Sequence, residues 1–244
     1  MTILRLTFVA ILLLVSTAAS AQTVDEIVAR HVEARGGGEK LRAIHSLRFT
    51  GRAESADGRD AIVVHEIKRP GRVRTEFTLQ GMTGVYAYDG EDGWRVAPFR
   101  GIFEPEPMPE ENEKLAEERA DVDGVLVDWK AKGHKVELAG RESVGGREAF
   151  KLEVTLENGA VYYVYVDAES YLRVRTDTTQ ELAGHTVTIE TTYGDHKAVD
   201  GVIFPHTIET GARDRPGHLR MIVEQVEINP SIDDARFEMP SNER

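Results

Sequence analysis

Residues 147–205 constrain the fold of this chain most, because four β-type segments and their turns can be read in them directly. Apolar and polar residues alternate from Phe150 to Leu156, the period-two pattern of a strand with one buried and one solvated face. Asn158 and Gly159 follow, a pair typical of a hairpin because both residues tolerate the positive φ of a type I′ turn. The pattern therefore predicts an antiparallel meander. Its later strands are predicted over residues 161–166, 171–179, 185–193 and 202–204, the last one ending at Pro205.

The N-terminus has the pattern of a secretory signal peptide. Arg5 precedes an apolar run, and the small residues 19–21 stand just before Gln22. The sequence therefore predicts a signal peptide over residues 1–21, cleavage before Gln22 and a periplasmic protein. The length of the mature chain, residues 22–244, suits a single domain with its own core.

Composition excludes several kinds of site and partner. The chain has no cysteine, which rules out disulfides, thiolate metal sites and lipid linkage at a cysteine. Its formal net charge of -12 disfavours binding to nucleic acid phosphates and to anionic membrane surfaces, because like charges repel. We therefore expect no nucleic acid partner.

Two helices are predicted at the start of the mature chain. Thr23 and Glu26 form a capping-box pattern, and apolar residues at three- and four-residue spacing follow them. This helix is predicted over residues 23–35, because the three glycines that come next are typical of a helix end. A second, short helix is predicted over residues 39–44.

A further set of strands surrounds these elements. Alternating apolar residues predict strands over residues 46–54, 61–68, 73–79, 81–88 and 94–97, then from 136, and finally over 219–228 before a polar tail. Turn signals separate the early strands at residues 57–58, 70–71 and 89–90. The alternation places four strand arginines on the solvated face: Arg48, Arg52, Arg72 and Arg74.

One segment interrupts the strand pattern. Three prolines within residues 104–109 exclude both a helix and a central strand there. A helix is predicted next, over residues 110–130, with a break near Asp123. Its apolar face is expected to pack on the sheet as a lid.

No arrangement typical of a catalytic or metal site occurs in the sequence. None of the eight histidines forms a His-x-x-x-His or His-x-x-Glu-His pattern, and Asp195 with His196 is the nearest approach to a ligand pair. The Gly-x-Ser-x-Gly and Ser-x-x-Lys motifs are absent. The sequence therefore predicts no catalytic residue, no metal and no cofactor, and an enzyme with an unrecognised site stays an alternative.

The predicted sheet carries more apolar side chains than two helices can cover. If it curls into a half-barrel, the uncovered part encloses a cavity for one apolar ligand. The candidate ligand-binding residues are Phe49, Val64, Phe77, Leu79, Tyr86, Trp94, Leu126 and Trp129. The alternative is that these side chains simply fill a hydrophobic core.

Several short pieces of the sequence resemble one known family. They are EARGG (33–37), YDG (88–90), GW (93–94), PF (98–99), LVDW (126–129), GHKVEL (133–138), YVD (165–167) and DGVIFP (200–205). In this order they resemble the LolA-like superfamily of outer-membrane lipoprotein-sorting proteins, over essentially the whole mature chain. The resemblance implies an unclosed antiparallel β-barrel with a helical lid over a hydrophobic cavity that holds acyl chains. The chain is longer than the typical carrier, and we identify no counterpart of the carrier's functional arginine.

The sequence thus predicts a mainly β protein with helices, an unclosed antiparallel half-barrel under a helical lid. The resemblance implies a periplasmic carrier or chaperone for the acyl chains of lipoproteins or other lipids, with membrane-bound transfer partners and no enzymatic activity. An envelope lipid-sensing or protein-interaction module without transport activity is the alternative. The sequence predicts no particular oligomeric state.

Overall fold

The computed structural model describes residues 22–55, 58–182 and 185–240. The predicted signal peptide lies outside the described residues. So do Asp57 of the first predicted hairpin turn and Gly184 ahead of a predicted strand.

One antiparallel sheet of 13 strands dominates the described residues. The strands are β1 (Ser46–Glu54), β2 (Asp60–Lys68), β3 (Arg72–Leu79), β4 (Met82–Tyr88), β5 (Gly93–Ala97), β6 (Ile102–Pro107), β7 (Lys135–Val144), β8 (Arg147–Thr155), β9 (Val161–Asp167), β10 (Arg173–Leu182), β11 (His185–Val199), β12 (Val202–Ala212) and β13 (Leu219–Ile228). Their order across the sheet is β6-β5-β4-β3-β2-β1-β13-β12-β11-β10-β9-β8-β7. Because β6 and β7 end the sheet without pairing with each other, the barrel is unclosed, as predicted.

The described part of the chain has three α-helices: α1 (Val24–Ala34), α2 (Gly38–Arg42) and α3 (Glu110–Arg119). α1 begins with the predicted capping box. The hydroxyl of Thr23 accepts a hydrogen bond from the backbone N–H of Glu26, and the Glu26 carboxylate accepts one of 2.9 Å from the backbone N–H of Thr23. The sequence prediction of this helix is confirmed.

The helices lie on one face of the sheet, which we call the inner face. Ile27 and Val28 of α1 pack against Phe150, Leu152 and Val164 in a buried cluster on β8 and β9. This cluster covers the inner face at the β7 end of the sheet.

A second cluster covers the middle of the inner face. Leu41 of α2 and Val127 of the segment 120–133 are each 1% exposed, and they belong to one cluster with Leu47 and Phe204. Towards the β6 end of the sheet, α3 is the helix that contacts the strands, namely β3, β4 and β5.

The C-terminal segment, residues 229–240, packs on the opposite face, which we call the outer face. Phe237 is 0% exposed and Ile232 is 4% exposed. The indole N–H of Trp94 donates a hydrogen bond of 2.7 Å to the backbone carbonyl of Phe237. The tail predicted to be polar is therefore part of the core.

Ion pairs and hydrogen bonds join the C-terminal segment to the sheet. The carboxylate of Glu66, which is 1% exposed, accepts hydrogen bonds of 2.9 Å from Arg48 and from Arg236. Arg74 is paired with Glu76 and donates to the backbone carbonyl of Arg236 at 2.8 Å. The predicted solvated face is thus corrected at Arg48 and Arg74, because the C-terminal segment supplies a cover that strand alternation does not reveal.

The helix predicted over residues 110–130 is wrong beyond Arg119. Residues 125–133 form turns instead, after a bend at residues 122–123. Gly124 and Asp128 have positive φ angles of 79° and 51°, which a right-handed helix does not accommodate. Beyond Arg119, the prediction agrees with the structure only in placing a break near Asp123.

Two strand predictions near prolines also need correction. The strand predicted to stop at Pro205 continues to Ala212 as β12. Pro205 is tolerated because the pairing of β12 with β13 begins only at Thr207, so one side of the strand is open there. The proline-rich residues Ile102–Pro107, for which no strand is predicted, form β6, an edge strand at which a missing N–H leaves no partner unsatisfied.

Candidate ligand-binding cavity

A cavity of about 640 Å³ lies between α3 and the inner face of the first strands. The strand residues that line it are Ala53, Ala61, Val73, Thr75, Phe77, Leu79 and Tyr86. The register explains their common face, since Ala53 pairs with Ala61 and Thr75 pairs with Tyr86. The volume falls within the roughly 300–1,000 Å³ typical of pockets for drug-sized ligands.

α3 forms the roof of this cavity. Asn112, Leu115, Ala116 and Arg119 lie on one stripe of the helix, because they recur at the three- and four-residue spacing of helical neighbours, and all four line the cavity. No residue of α3 is buried, and Pro109 provides no side-chain cap. A short helix with so little buried surface gains little from packing.

Two side-chain contacts tie α3 to the two halves of the sheet. Near its start, the carboxylate of Glu113 accepts a hydrogen bond of 3.2 Å from the backbone N–H of Gly93 on β5. Near its end, the carboxylate of Glu118 accepts one from the hydroxyl of Tyr162 on β9. Burial and this hydrogen bond raise the pKa of Tyr162, so the phenol stays protonated and keeps donating.

The strand side of the cavity is apolar and aromatic. Phe77 and Tyr86 meet edge to face, with ring centroids 6.3 Å apart and planes at 80°. Phe99, Met108 and Leu219 extend the apolar lining beyond these strands. Such walls are suited to a hydrocarbon chain, because the transfer of its apolar surface out of water is favourable.

The charged groups at the cavity are cationic. Arg59, Arg100 and Arg119 line it, and no Asp or Glu of the described chain is among the lining residues. His65 on β2 lies between this lining and the middle core, and its Nδ1 lies 2.8 Å from the hydroxyl of Thr75. Burial and the nearby Arg119 lower the pKa of His65 to about 4, so this ring is neutral near pH 7.

Three of the eight predicted ligand-binding residues line the cavity, namely Phe77, Leu79 and Tyr86. They are inner-face residues of β3 and β4, as the alternation of the sequence suggests. Their role in binding stays a prediction.

Three others lie on the inner side but within the packed cores. Phe49 packs against the middle cluster and meets Phe204 edge to face at 5.7 Å. Leu126, which is 3% exposed, and Trp129 pack with α1 on the cluster of β8 and β9. For these residues the alternative prediction, that the side chains fill the core, describes the structure.

The remaining two lie on the wrong face for the cavity. Val64 pairs with Thr50 and Glu76, and these three residues point to the outer face. Trp94 is 4% exposed and lies under the C-terminal segment, with the Arg74 guanidinium 5.5 Å from its ring centroid. The placement of Val64 and Trp94 in the cavity is therefore corrected.

The ligand-binding residues predicted from the sequence omit the helical side of the cavity and Phe99. Phe99, Leu115 and Arg119 all line the cavity, and none of the three was predicted. The spacing of Asn112, Leu115, Ala116 and Arg119 was a usable signal for the helix, but it mixes polar and apolar residues. For Phe99 the sequence carries no signal, because its position depends on close contact with Gly84 on β4.

A second depression of about 480 Å³ is lined by turn residues and charged side chains, and it has no aromatic wall: Pro70, Gly71, Arg72, Asp89, Gly90, Glu91 and Glu238. No three His, Asp or Glu side chains of the described residues are grouped so as to hold a metal ion. Within the same residues, no helix has the length and apolar character needed to cross a membrane.

No family model and no curated protein matches the sequence. Among solved structures, the chain is similar to a domain assigned to outer-membrane lipoprotein sorting from Vibrio parahaemolyticus, at 14% identity and a TM-score of 0.58, over 88% of this chain and 95% of that one. It is also similar to a LolA superfamily protein from Nitrosomonas europaea, at 13% identity and a TM-score of 0.57, over 89% of this chain and 98% of that one.

A third similar structure is a DUF1329 family protein from Desulfovibrio piger, at 12% identity and a TM-score of 0.59, over 89% of this chain and 98% of that one. All three similarities extend over nearly the full length of both chains, so they concern the complete half-barrel and not one motif within it. With its unclosed sheet and the helices on the inner face, the chain has a LolA-like fold.

Proposed function

We propose that this protein is a periplasmic carrier that holds an acyl chain of a lipid or lipoprotein in the cavity under α3. The observation that carries the proposal is the cavity itself, a space of about 640 Å³ with an apolar, aromatic strand wall, between the sheet and a helix without buried residues. A packed interior seldom contains voids larger than a water molecule, so an apolar space of this size is typical of a ligand site.

Two further observations support a carrier in the cell envelope. The N-terminal 21 residues have the signal-peptide pattern, which directs a protein across the inner membrane. Two of the similar solved structures are described as a lipoprotein-sorting domain and as a LolA superfamily protein. The proposal assigns binding and release to this protein, with a membrane-bound transfer partner, and no catalytic step.

Titration with a fluorescent fatty acid tests this function. Wild type is expected to bind the probe, and Phe77→Glu or Leu79→Glu is expected to remove binding while the protein still folds. A carboxylate at these cavity positions keeps contact with water, so its cost in folding free energy stays below the several kcal/mol of a fully buried charge.

The matched control is Ile62→Glu. Ile62 lies on the neighbouring strand β2 but on the outer face, where it is 60% exposed, so this variant is expected to bind the probe like wild type. Thermal melts of all variants establish folding. The proposed function is contradicted if wild type binds no probe, or if Ile62→Glu loses binding as completely as the cavity variants.

A further inference from the structure

The charge of the cavity is opposite to the charge of the protein. The chain has 42 acidic residues against 30 lysines and arginines. The lining nevertheless contains Arg59, Arg100 and Arg119 and no acidic residue among those described. In a protein this acidic, a cavity whose charged lining residues are all cations has a local potential suited to an anion.

Arg119 differs from the other two in its place in the fold. It is the last residue of α3, and its charge acts on His65 in the middle of β2 and on Tyr162 and Tyr193 across the inner face. Arg100 follows β5 in a 3₁₀ turn, and Arg59 belongs to the connection between β1 and β2, so both lie where strands end. Arg119 thus lines the cavity on its helical roof, and the other two line it where strands end, which we call its mouth.

The Arg119 guanidinium feels the charge of the adjacent Glu118 but is not paired with it. It makes no hydrogen bond and no ion pair with any residue in the described ranges. The neighbouring carboxylate of Glu118 is engaged by the hydroxyl of Tyr162 and the side-chain amide of Asn158. Arg119 is an exposed residue where it lines the cavity, and partial desolvation by the neighbouring protein lowers the pKa of its guanidinium.

An unpaired cation in such surroundings is costly for the empty protein, because part of its hydration is lost and no carboxylate replaces it. An anion brought by the ligand removes this cost. A carboxylate or phosphate fits the guanidinium well, since its oxygens accept two parallel N–H hydrogen bonds.

We propose that the ligand is a single acyl chain that ends in an anionic group, and that Arg119 binds this group inside the cavity. The inference rests on the proposed function and adds the chemical class and the orientation of the ligand. The apolar strand wall of Phe77, Leu79 and Tyr86 contacts the hydrocarbon, while the head group lies under the end of α3. The cavity volume of about 640 Å³ is within the range of pockets that hold a ligand of this size.

The experiment compares a fluorescent polyene fatty acid with its methyl ester, which has the same chain but no charge. Wild type is expected to bind the acid about tenfold more tightly than the ester, the effect of one charge-assisted hydrogen-bonded pair. Arg119→Met is expected to weaken binding of the acid about tenfold, leave the ester unchanged and keep the melting temperature at or above that of wild type. Arg119→Lys is expected to restore part of the preference for the acid.

Two further variants separate the possible positions of the head group. Lys114→Met removes an exposed cation on the same helix, paired with Glu110, and is expected to behave like wild type. Arg100→Met removes a cation at the mouth and is also expected to keep the preference for the acid.

The outcomes distinguish the inference from the function on which it rests. If wild type binds acid and ester equally and Arg119→Met changes neither, the carrier function stands and the anionic ligand is excluded. If Arg100→Met removes the preference and Arg119→Met does not, the head group lies at the mouth and the assignment of Arg119 is overturned. If wild type binds neither probe, the proposed function fails, and the inference fails with it.

Discussion

Gly51 occupies a point of close backbone approach between β1 and β13. A Cβ added there would overlap the carbonyl oxygen of Ile222, at a position where the register of the two strands shifts. Gly51→Ala is therefore expected to destabilise the protein by roughly 1–3 kcal/mol, because the central strand pair has to move apart. Chemical denaturation measures this change in the free energy of unfolding.

Gly194 provides the matched control. It is also a strand glycine, on β11, but a Cβ there meets only the side chain of Thr207 at 4.0 Å. Gly194→Ala is expected to change the free energy of unfolding by no more than about 0.5 kcal/mol. Equal effects of the two substitutions would show that the approach at Gly51 is not tight.

His31 is a buried histidine that the fold keeps neutral. It is 4% exposed, and its Nδ1 donates a hydrogen bond of 2.8 Å to the carbonyl of Tyr171. Burial first, and then the charge of Arg35, lower its pKa from 6.5 to about 3. Arg173 and His196 also lower it, while the hydrogen bond to Tyr171 raises it.

This pKa predicts a loss of stability in mild acid. Below about pH 6.5 the unfolded chain takes up a proton at His31 that the folded protein does not, down to about pH 3, so the free energy of unfolding falls as pH falls through this window. The contribution is about 1.4 kcal/mol per pH unit, or roughly 2 kcal/mol between pH 6 and pH 4.5. Denaturant unfolding of His31→Gln is expected to show a shallower pH dependence by this amount. His45→Gln, at an exposed position, is the control, and a wild-type slope in His31→Gln would contradict the assignment.

Among the elements, α3 differs from the others in how it is held. It has no buried residue, whereas Leu152, Val154 and Val164 of β8 and β9 are each 0% exposed. Apart from Ala116, which packs against the middle cluster, it is held by polar contacts such as the one between Glu118 and Tyr162. An element held in this way opens at a lower free energy than a buried strand.

Hydrogen exchange measures this difference. Backbone amides of residues 110–119 are expected to exchange faster than those of β8 and β9, because opening of α3 exposes little apolar surface. Tyr162→Phe is expected to raise the exchange rate of α3 further, while leaving β8 unchanged. Equal protection of α3 and β8 would show that the helix is ordinary core and not a mobile lid.

The elements also show what the sequence reveals and what it does not. Strand alternation and the capping box at Thr23 are local signals, and they located α1 and most strands. Val64 was misplaced because β2 has apolar residues on both faces, Val63 on the inner and Val64 on the outer. Trp94 was misplaced because its partner, Phe237, belongs to a segment far along the chain. Arg119 was missed because an arginine at the end of a charged helix is typical of a solvated surface.

At the scale of the whole molecule, one sheet joins two cores. The strands run without interruption from β6 to β7, and Val32 of α1 packs against both buried clusters. All neighbouring strands are paired, so the sheet is continuous across the two cores. That residues 22–244 form a single domain stays a prediction.

Calorimetry tests this prediction. Heating is expected to give one transition, with the calorimetric enthalpy equal to the van't Hoff enthalpy, because neither half of the sheet unfolds without opening an edge in the other. Two resolved transitions, or a van't Hoff enthalpy clearly below the calorimetric one, would show that the halves unfold separately.

The pairing of β1 with β13 also affects how the chain folds. Leu47 near the start of the described chain pairs with Ile228 near its end, so the centre of the sheet is completed only when nearly all of these residues are available. Contacts between positions so distant in sequence slow folding. Until β13 is in place, β1 and β12 each present an open strand edge, which is a template for aggregation. A chain that ends before Leu219 keeps both of these edges permanently.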